Sequence, residues 1–150
     1  MGVDVLTQIV IDCPSTKVAA FAADPDNAPR WYVNIKSVEW KTARPIRLGS
    51  RVAFVAQFLG RRMAYTYEIA EFVPGERLVM RTTDGPFPME TTYTWEAESD
   101  GQTRMTLRNH GNPTGFSAWI APFVSLAMRR ANHKDLALLK RRLEGRCDQT

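Results

Sequence analysis

Residues 117–144 read SAWIAPFVSLAMRRANHKDLALLKRRLE, and the period of this stretch decides the fold class. At 100° per residue, Ile120, Val124, Ala127, Met128, Ala131, Leu138, Leu139 and Leu143 fall on one broad face. Arg129, Arg130, Lys134, Lys140 and Arg141 fall on the other, so the stretch is an amphipathic helix. Pro122 has no N–H to donate, and the helix therefore begins near it or kinks there. At 1.5 Å per residue a straight helix of this length spans roughly 42 Å, enough to cross an entire sheet.

Upstream of the helix the period changes from 3.6 to 2. Strand-like runs occur at about residues 3–12, 35–42, 50–59, 62–73, 76–83, 88–98 and 103–111. Turn residues separate them closely, at Leu48-Gly49-Ser50, Leu59-Gly60-Arg61, Pro74-Gly75-Glu76 and Asp100-Gly101, which is the punctuation of an antiparallel meander. Asp84-Gly85-Pro86-Phe87-Pro88 is longer than a hairpin needs and is a candidate cavity rim. Two short helices fit between the first and second strands. One is residues 16–23, with Ser15 as N-cap and Asp24-Pro25 as its stop, and the other is about 26–32, ending at Trp31-Tyr32. The fold class is thus α+β, a seven-stranded curved antiparallel sheet around a long C-terminal helix.

A chain of 150 residues is the size of one domain, spanning 1–150. With 44% hydrophobic and 24% charged residues the composition is that of a globular chain, which excludes collagen-like, disordered and membrane classes. No basic stretch followed by an apolar one opens the chain, and nowhere do about 18 apolar residues run together, so stable membrane insertion is not expected. Cys13 and Cys147 lie at opposite ends and signal no disulfide framework, which favours a reducing, cytoplasmic location. Residues 129–150 hold seven bases against three acids, an excess equal to the net charge of the whole chain, +4. No nucleic-acid motif accompanies that charge, so a solvated helix face explains it and no nucleic-acid partner is expected, docking on an acidic partner or RNA being the competing reading.

A strongly curved sheet cannot lie flat on a straight helix, and its concave face leaves space unless large side chains fill it. Alternation places Val52, Phe54, Ala56 and Phe58 on one face of the third strand and Met63, Tyr65, Tyr67 and Ile69 on one face of the fourth. Met89, Tyr93 and Trp95 share a face of the sixth strand, and Met105 and Leu107 one of the seventh. Periodicity shows which face is buried, not whether the space inside is empty. The polar-tipped rings Tyr65, Tyr67 and Tyr93 favour a ligand-filled space, because a buried phenol needs a hydrogen-bond partner.

The order of elements and several local strings resemble the polyketide cyclase/dehydrase and lipid-transport family of the START-like (SRPBCC, Bet v 1-like) superfamily. The strings are Cys13-Pro14-Ser15, DPDNAPRW at 24–31, LGSRV at 48–52, FLGRR at 58–62, EFVPGERL at 71–78, GPFP at 85–88, YTWE at 93–96 and GQTRMTL at 101–107. What the resemblance implies is a helix-grip fold with two small helices closing one end, and Trp31 is similar to the family's tryptophan at the end of the second. It also implies an internal cavity for a small hydrophobic ligand such as a lipid, a polyketide-like molecule or an isoprenoid. The wall would run from the sheet residues Phe54, Phe58, Tyr65, Tyr67, Met89, Tyr93, Trp95 and Met105 to Ile120, Val124 and Met128 of the helix.

Catalytic groups are sparse, so binding or transport is the first reading and a cyclase, dehydratase or hydrolase the alternative. His110 and His133 read as rim or surface residues, and the three tyrosines could orient a carbonyl or hydroxyl. Asp135 lies near the edge of the apolar helical face, where a dry carboxylate is costly, and Arg81 is a candidate partner. Two histidines 23 residues apart and two distant cysteines give no metal-ligand spacing, and no Gly-x-Gly-x-x-Gly or P-loop string occurs, so no metal or other cofactor is expected. A homodimer is compatible with the sequence.

Overall fold

The computed structural model describes residues 3–58, 60–85, 88–111 and 121–147. Strand β1 (Val3–Ile11) alternates buried and exposed side chains over its first half. Helix α1 (Ser15–Ala22) follows, but not with the expected Ser15 cap. Pro14 takes the cap position in an extended conformation, and its carbonyl accepts the N–H groups of Lys17 and Val18, each at 3.0 Å. Ser15 is therefore the first helical residue. The second short helix divides into a 3-10 turn (Pro25–Asn27), where the Asp24 carboxylate accepts the Asp26 N–H, and helix α2 (Ala28–Trp31).

The remaining strands are β2 (Ile35–Trp40), β3 (Arg51–Phe58), β4 (Arg61–Val73), β5 (Arg77–Asp84), β6 (Met89–Ser99) and β7 (Gln102–Gly111). They form one antiparallel sheet in the order β1-β7-β6-β5-β4-β3-β2, a meander with β1 returning beside the last strand. Curvature has a local cause in β4, whose register against β5 shifts between Thr66 and Tyr67 and again between Ile69 and Glu71. An extra residue on one strand of a pair bends it and increases its twist. Gly75 and Gly101 take φ of 81° and 74° in the β4–β5 and β6–β7 turns, where a side chain would be strained.

Helix α3 (Ala121–Cys147) crosses the concave face. Residues 117–120, expected in the same helix, lie outside the described residues, as do Pro86 and Phe87 of the expected rim. The face that α3 buries carries Val124, Met128, Asn132, Asp135, Leu136, Leu139 and Leu143. It is thus less apolar than the periodicity implies, with two polar residues at mid-helix, while Ala127 and Leu138 are only half-buried. Leu136, Leu139 and Leu143 join Trp31, Ile69, Leu78, Trp95, Met105 and Leu107 in the main core. Val124 and Met128 join Val3, Val5, Met63 and Met89 in a smaller cluster at the other end.

Several bases of α3 are engaged within the molecule. Arg129 donates to the Leu6 carbonyl at 3.1 Å and Lys140 to the Val10 carbonyl at 2.9 Å, both on the edge of β1 that β7 does not use. Arg142 donates to the Arg30 carbonyl at 2.8 Å, and the Arg146 guanidinium sits 4.9 Å from the Phe21 ring centre. An open strand edge invites pairing with another chain, and these bases blunt it. Replacing Arg129 and Lys140 together by alanine is expected to cost about 1 kcal/mol in urea unfolding, because half-exposed hydrogen bonds contribute little each. A loss beyond about 3 kcal/mol would mean that the two side chains do more than cap the edge.

Cys13 and Cys147, read as isolated thiols, are joined by a disulfide across 134 residues, with Cα atoms 5.7 Å apart. The fold brings the chain ends together because α3 runs back along β1. The case for a reducing compartment rested on unpaired cysteines and loses that support. Among the described residues no helix is long and apolar enough to cross a membrane.

Candidate functional site

Between the concave face of β3–β7 and the middle of α3 lies a cavity of about 170 Å³, closed at one end by the C-terminus of α1 and by α2. Most of its wall is aromatic, aliphatic and sulfur-bearing. Phe54 and Ala56 come from β3, Met63, Tyr65 and Tyr67 from β4, Leu78 and Met80 from β5, and Met89 and Tyr93 from β6. Met128 and Ala131 come from α3. Successive strands present alternate residues to one side, so the inward set is continuous across the sheet.

Of the residues expected on the wall, Phe54, Tyr65, Tyr67, Met89, Tyr93 and Met128 line it together. Trp95, Met105 and Val124 do not. They are at most 3% exposed and fill the core on either side, because alternation fixes the face of a strand but not the depth along it. Ile120 and the Phe58 side chain lie outside the described residues.

The rings form a connected set. Trp31 stands 4.1 Å from the Tyr32 ring centre and 5.7 Å from that of Tyr93, and the two phenols share a hydrogen bond of 2.5 Å. Phe54 and Tyr65 each lie 5.9 Å from Tyr67. Tyr65 donates to the Met63 sulfur at 3.1 Å, and Thr91 to the Asn109 Oδ1 at 3.0 Å. Burial raises the pKa of all four phenols. Tyr67 is pushed up to about 12 by burial, with the neighbouring Thr91 hydroxyl acting in the opposite direction. Tyr32, Tyr65 and Tyr93 also rise, chiefly through burial. At neutral pH these groups are therefore neutral hydrogen-bonding phenols.

The polar residues of the wall were largely missed by sequence reasoning. Tyr32, Asn34, Thr91, Asn109, Asn132 and Asp135 all line the cavity. Asp135 is 2% exposed and accepts the Val33 N–H on Oδ1 at 3.0 Å. Its expected partner Arg81 points to the outer face of β5 and pairs with Glu90 at 2.7 Å, since Met80 takes the inward place beside it. Asn132 is 4% exposed, and its Nδ2 has no hydrogen-bond partner among the described residues. His110 and His133 are exposed. Among the described residues no group of three His, Cys, Asp or Glu could hold a metal ion.

Burial pushes the Asp135 carboxyl from 3.8 up to about 6, against the Val33 hydrogen bond, which favours the ionised form. A carboxyl raised in the folded state stabilises fully below its unfolded pKa of 3.8 and loses that contribution as pH rises through about 6. Ionised Asp135 therefore costs on the order of 2–3 kcal/mol at neutral pH. Asp135→Asn, which keeps an oxygen for the Val33 N–H, is expected to unfold at higher urea than wild type at about pH 7.5 and to lose that advantage by about pH 4. A difference independent of pH would contradict the desolvation.

Fold and cavity together define a helix-grip protein, a curled sheet closed on a helix around an apolar chamber. A family described as polyketide cyclase / dehydrase and lipid transport matches residues 3–144, and the chain belongs to that family. The solved structure of the Zhui aromatase/cyclase from Streptomyces sp. R1128 superposes with a TM-score of 0.81 at 14% identity, covering 97% of this chain and 96% of that one. A START superfamily protein from Mycobacterium smegmatis gives 0.73 at 13% identity, covering 97% of each chain. Ginseng major latex-like protein 151 from Panax ginseng gives 0.68 at 13% identity, again over 97% of each. These likenesses establish a START-like, Bet v 1-like fold, and family membership supports a role in binding a hydrophobic ligand. A sequence search of curated proteins returns no match.

Proposed function

We propose that the protein binds, and carries or sequesters, a small hydrophobic molecule in the chamber between its sheet and α3. The observation that carries this reading is the chamber itself, about 170 Å³ walled mainly by tyrosine, phenylalanine, methionine and aliphatic side chains. Its volume is below the roughly 300–1,000 Å³ of drug-sized pockets, which favours a compact polyketide-like or isoprenoid ligand over a two-chain lipid. Native mass spectrometry of cell-purified protein, with displacement of a fluorescent apolar probe by a hydrophobic panel, tests it. A retained mass or a displacement curve is expected; neither from a varied panel would sink the reading.

A second reading, an enzyme of the cyclase or dehydratase type, is supported by one observation, the carboxyl of Asp135 at the cavity wall near Tyr32 and Tyr93. A buried acid titrating near 6 is suited to proton transfer close to neutral pH. Dehydration of an aromatic β-hydroxyketone, followed by NMR, would then be lost in Asp135→Asn. As a general acid the wild type would slow as pH rises through about 6. Turnover indifferent to both the substitution and pH would remove this reading.

A further inference from the structure

We infer that the chamber is built for a cationic ligand, an apolar ring system bearing a protonated amine, with its ammonium group set against Asp135. The inference rests on the reading that the chamber binds a ligand and adds its charge.

Among the described residues lining the chamber, the charged ones are Asp24 and Asp135, and no lysine, arginine or histidine joins them. The Asp24 carboxylate already accepts the Asp26 N–H at 3.0 Å. Asp135 is the more deeply placed, 2% exposed, with the Val33 N–H on one oxygen. None of the ion pairs among the described residues includes it. A dry carboxylate is normally held by a cation or by several donors. Among the described residues Asp135 receives one backbone N–H, and it lines the chamber where a ligand would sit.

The surroundings complete a receptor for an ammonium ion. Tyr32 and Tyr93, neutral phenols close enough to interact with Asp135, line the chamber beside it, and a desolvated cation is attracted to an aromatic ring. Asn132, one turn before Asp135 on α3, adds an amide whose oxygen is a further acceptor. Rotation about its χ2 decides which amide atom faces a ligand, so the unpartnered Nδ2 does not block this role. The same negative wall disfavours an anionic guest such as a fatty acid, whose carboxylate would meet Asp135 without a base between them.

Three probes of one shape separate charge from fit: 2-aminotetralin, 2-tetralone and tetralin-2-carboxylate, titrated calorimetrically at about pH 7.5. Charge-assisted hydrogen bonding predicts the amine to bind at least about tenfold tighter than the ketone, with the carboxylate weakest. Asp135→Asn is expected to narrow the amine-to-ketone ratio to within about threefold, with thermal unfolding confirming that the variant is folded. Lowering the pH to about 5 protonates the wild-type carboxyl and is expected to weaken the amine about tenfold while sparing the ketone. Tyr32 and Tyr93, the phenols that interact with Asp135, stay neutral across that range, as does Tyr67 elsewhere on the wall.

A ketone or carboxylate binding as tightly as the amine would overturn the inference and leave the binding reading standing. An amine preference that survives in Asp135→Asn would overturn it as well, since the ammonium would then sit elsewhere. Failure of all three probes while other apolar molecules displace the fluorescent probe overturns it alone. Failure of the whole hydrophobic panel overturns both readings together.

Discussion

Trp31→Ala is expected to lower the unfolding free energy by about 3–5 kcal/mol, the range for truncating a buried aromatic side chain. Trp31 is 0% exposed, ends α2, and joins the main core through which α2 is held against α3 and the sheet. Its ring backs both Tyr32 and Tyr93, at 4.1 and 5.7 Å, so its removal also leaves the two phenols at the chamber's polar end without support. Trp31 Nε1 has no hydrogen-bond partner among the described residues, so Trp31→Phe is expected to cost less than the alanine variant by more than its size alone suggests. Urea unfolding of the three proteins measures this, and a loss below about 1 kcal/mol for Trp31→Ala would show that the core closes over the gap.

Reducing the Cys13–Cys147 bond is expected to cost about 2–4 kcal/mol, because the bond closes a loop of nearly the whole chain and constrains the unfolded state. The sequence separation of 134 residues puts it among the longer loops for which the entropic effect is greatest. The comparison is urea unfolding with and without a phosphine reductant, with the Cys13→Ser, Cys147→Ser double variant as control. The double variant should unfold like the reduced wild type and should not respond to the reductant. Coincident curves for oxidised and reduced wild type would exclude a stabilising bond.

The fold was legible because both of its periods are long and clean. Seven runs of alternation and one amphipathic helix were enough to specify a curled sheet around α3, and element bounds moved by only a few residues. The cap of α1 was misread because serine is the better capper by side chain, whereas Pro14 does the work with its carbonyl and its extended backbone. The inward faces were legible too, yet Trp95 and Met105 proved to be core and Tyr65 and Tyr67 wall, a difference of position along strands that alternation does not encode.

The polar end of the chamber was the least legible part. Counting apolar residues on α3 treats Asn132 and Asp135 as interruptions of a stripe, although 132 and 135 fall on the same side as Met128 and Leu139. A signal was present, in that a carboxylate and an amide lie three apart inside an otherwise apolar face. The disulfide left no comparable trace, since two cysteines at the ends of a chain carry no distance information until β1 and α3 are packed together.

The contacts of α3 with β1 also bear on how a ligand gets in and out. Swinging the helix away would strip Arg129 and Lys140 from the Leu6 and Val10 carbonyls and leave a bare strand edge, and the bond at Cys147 tethers the helix end against that motion. Traffic is therefore expected to pass on the side away from β1, where Tyr32, Asn34 and Ile35 line the chamber, while helix and sheet stay clasped.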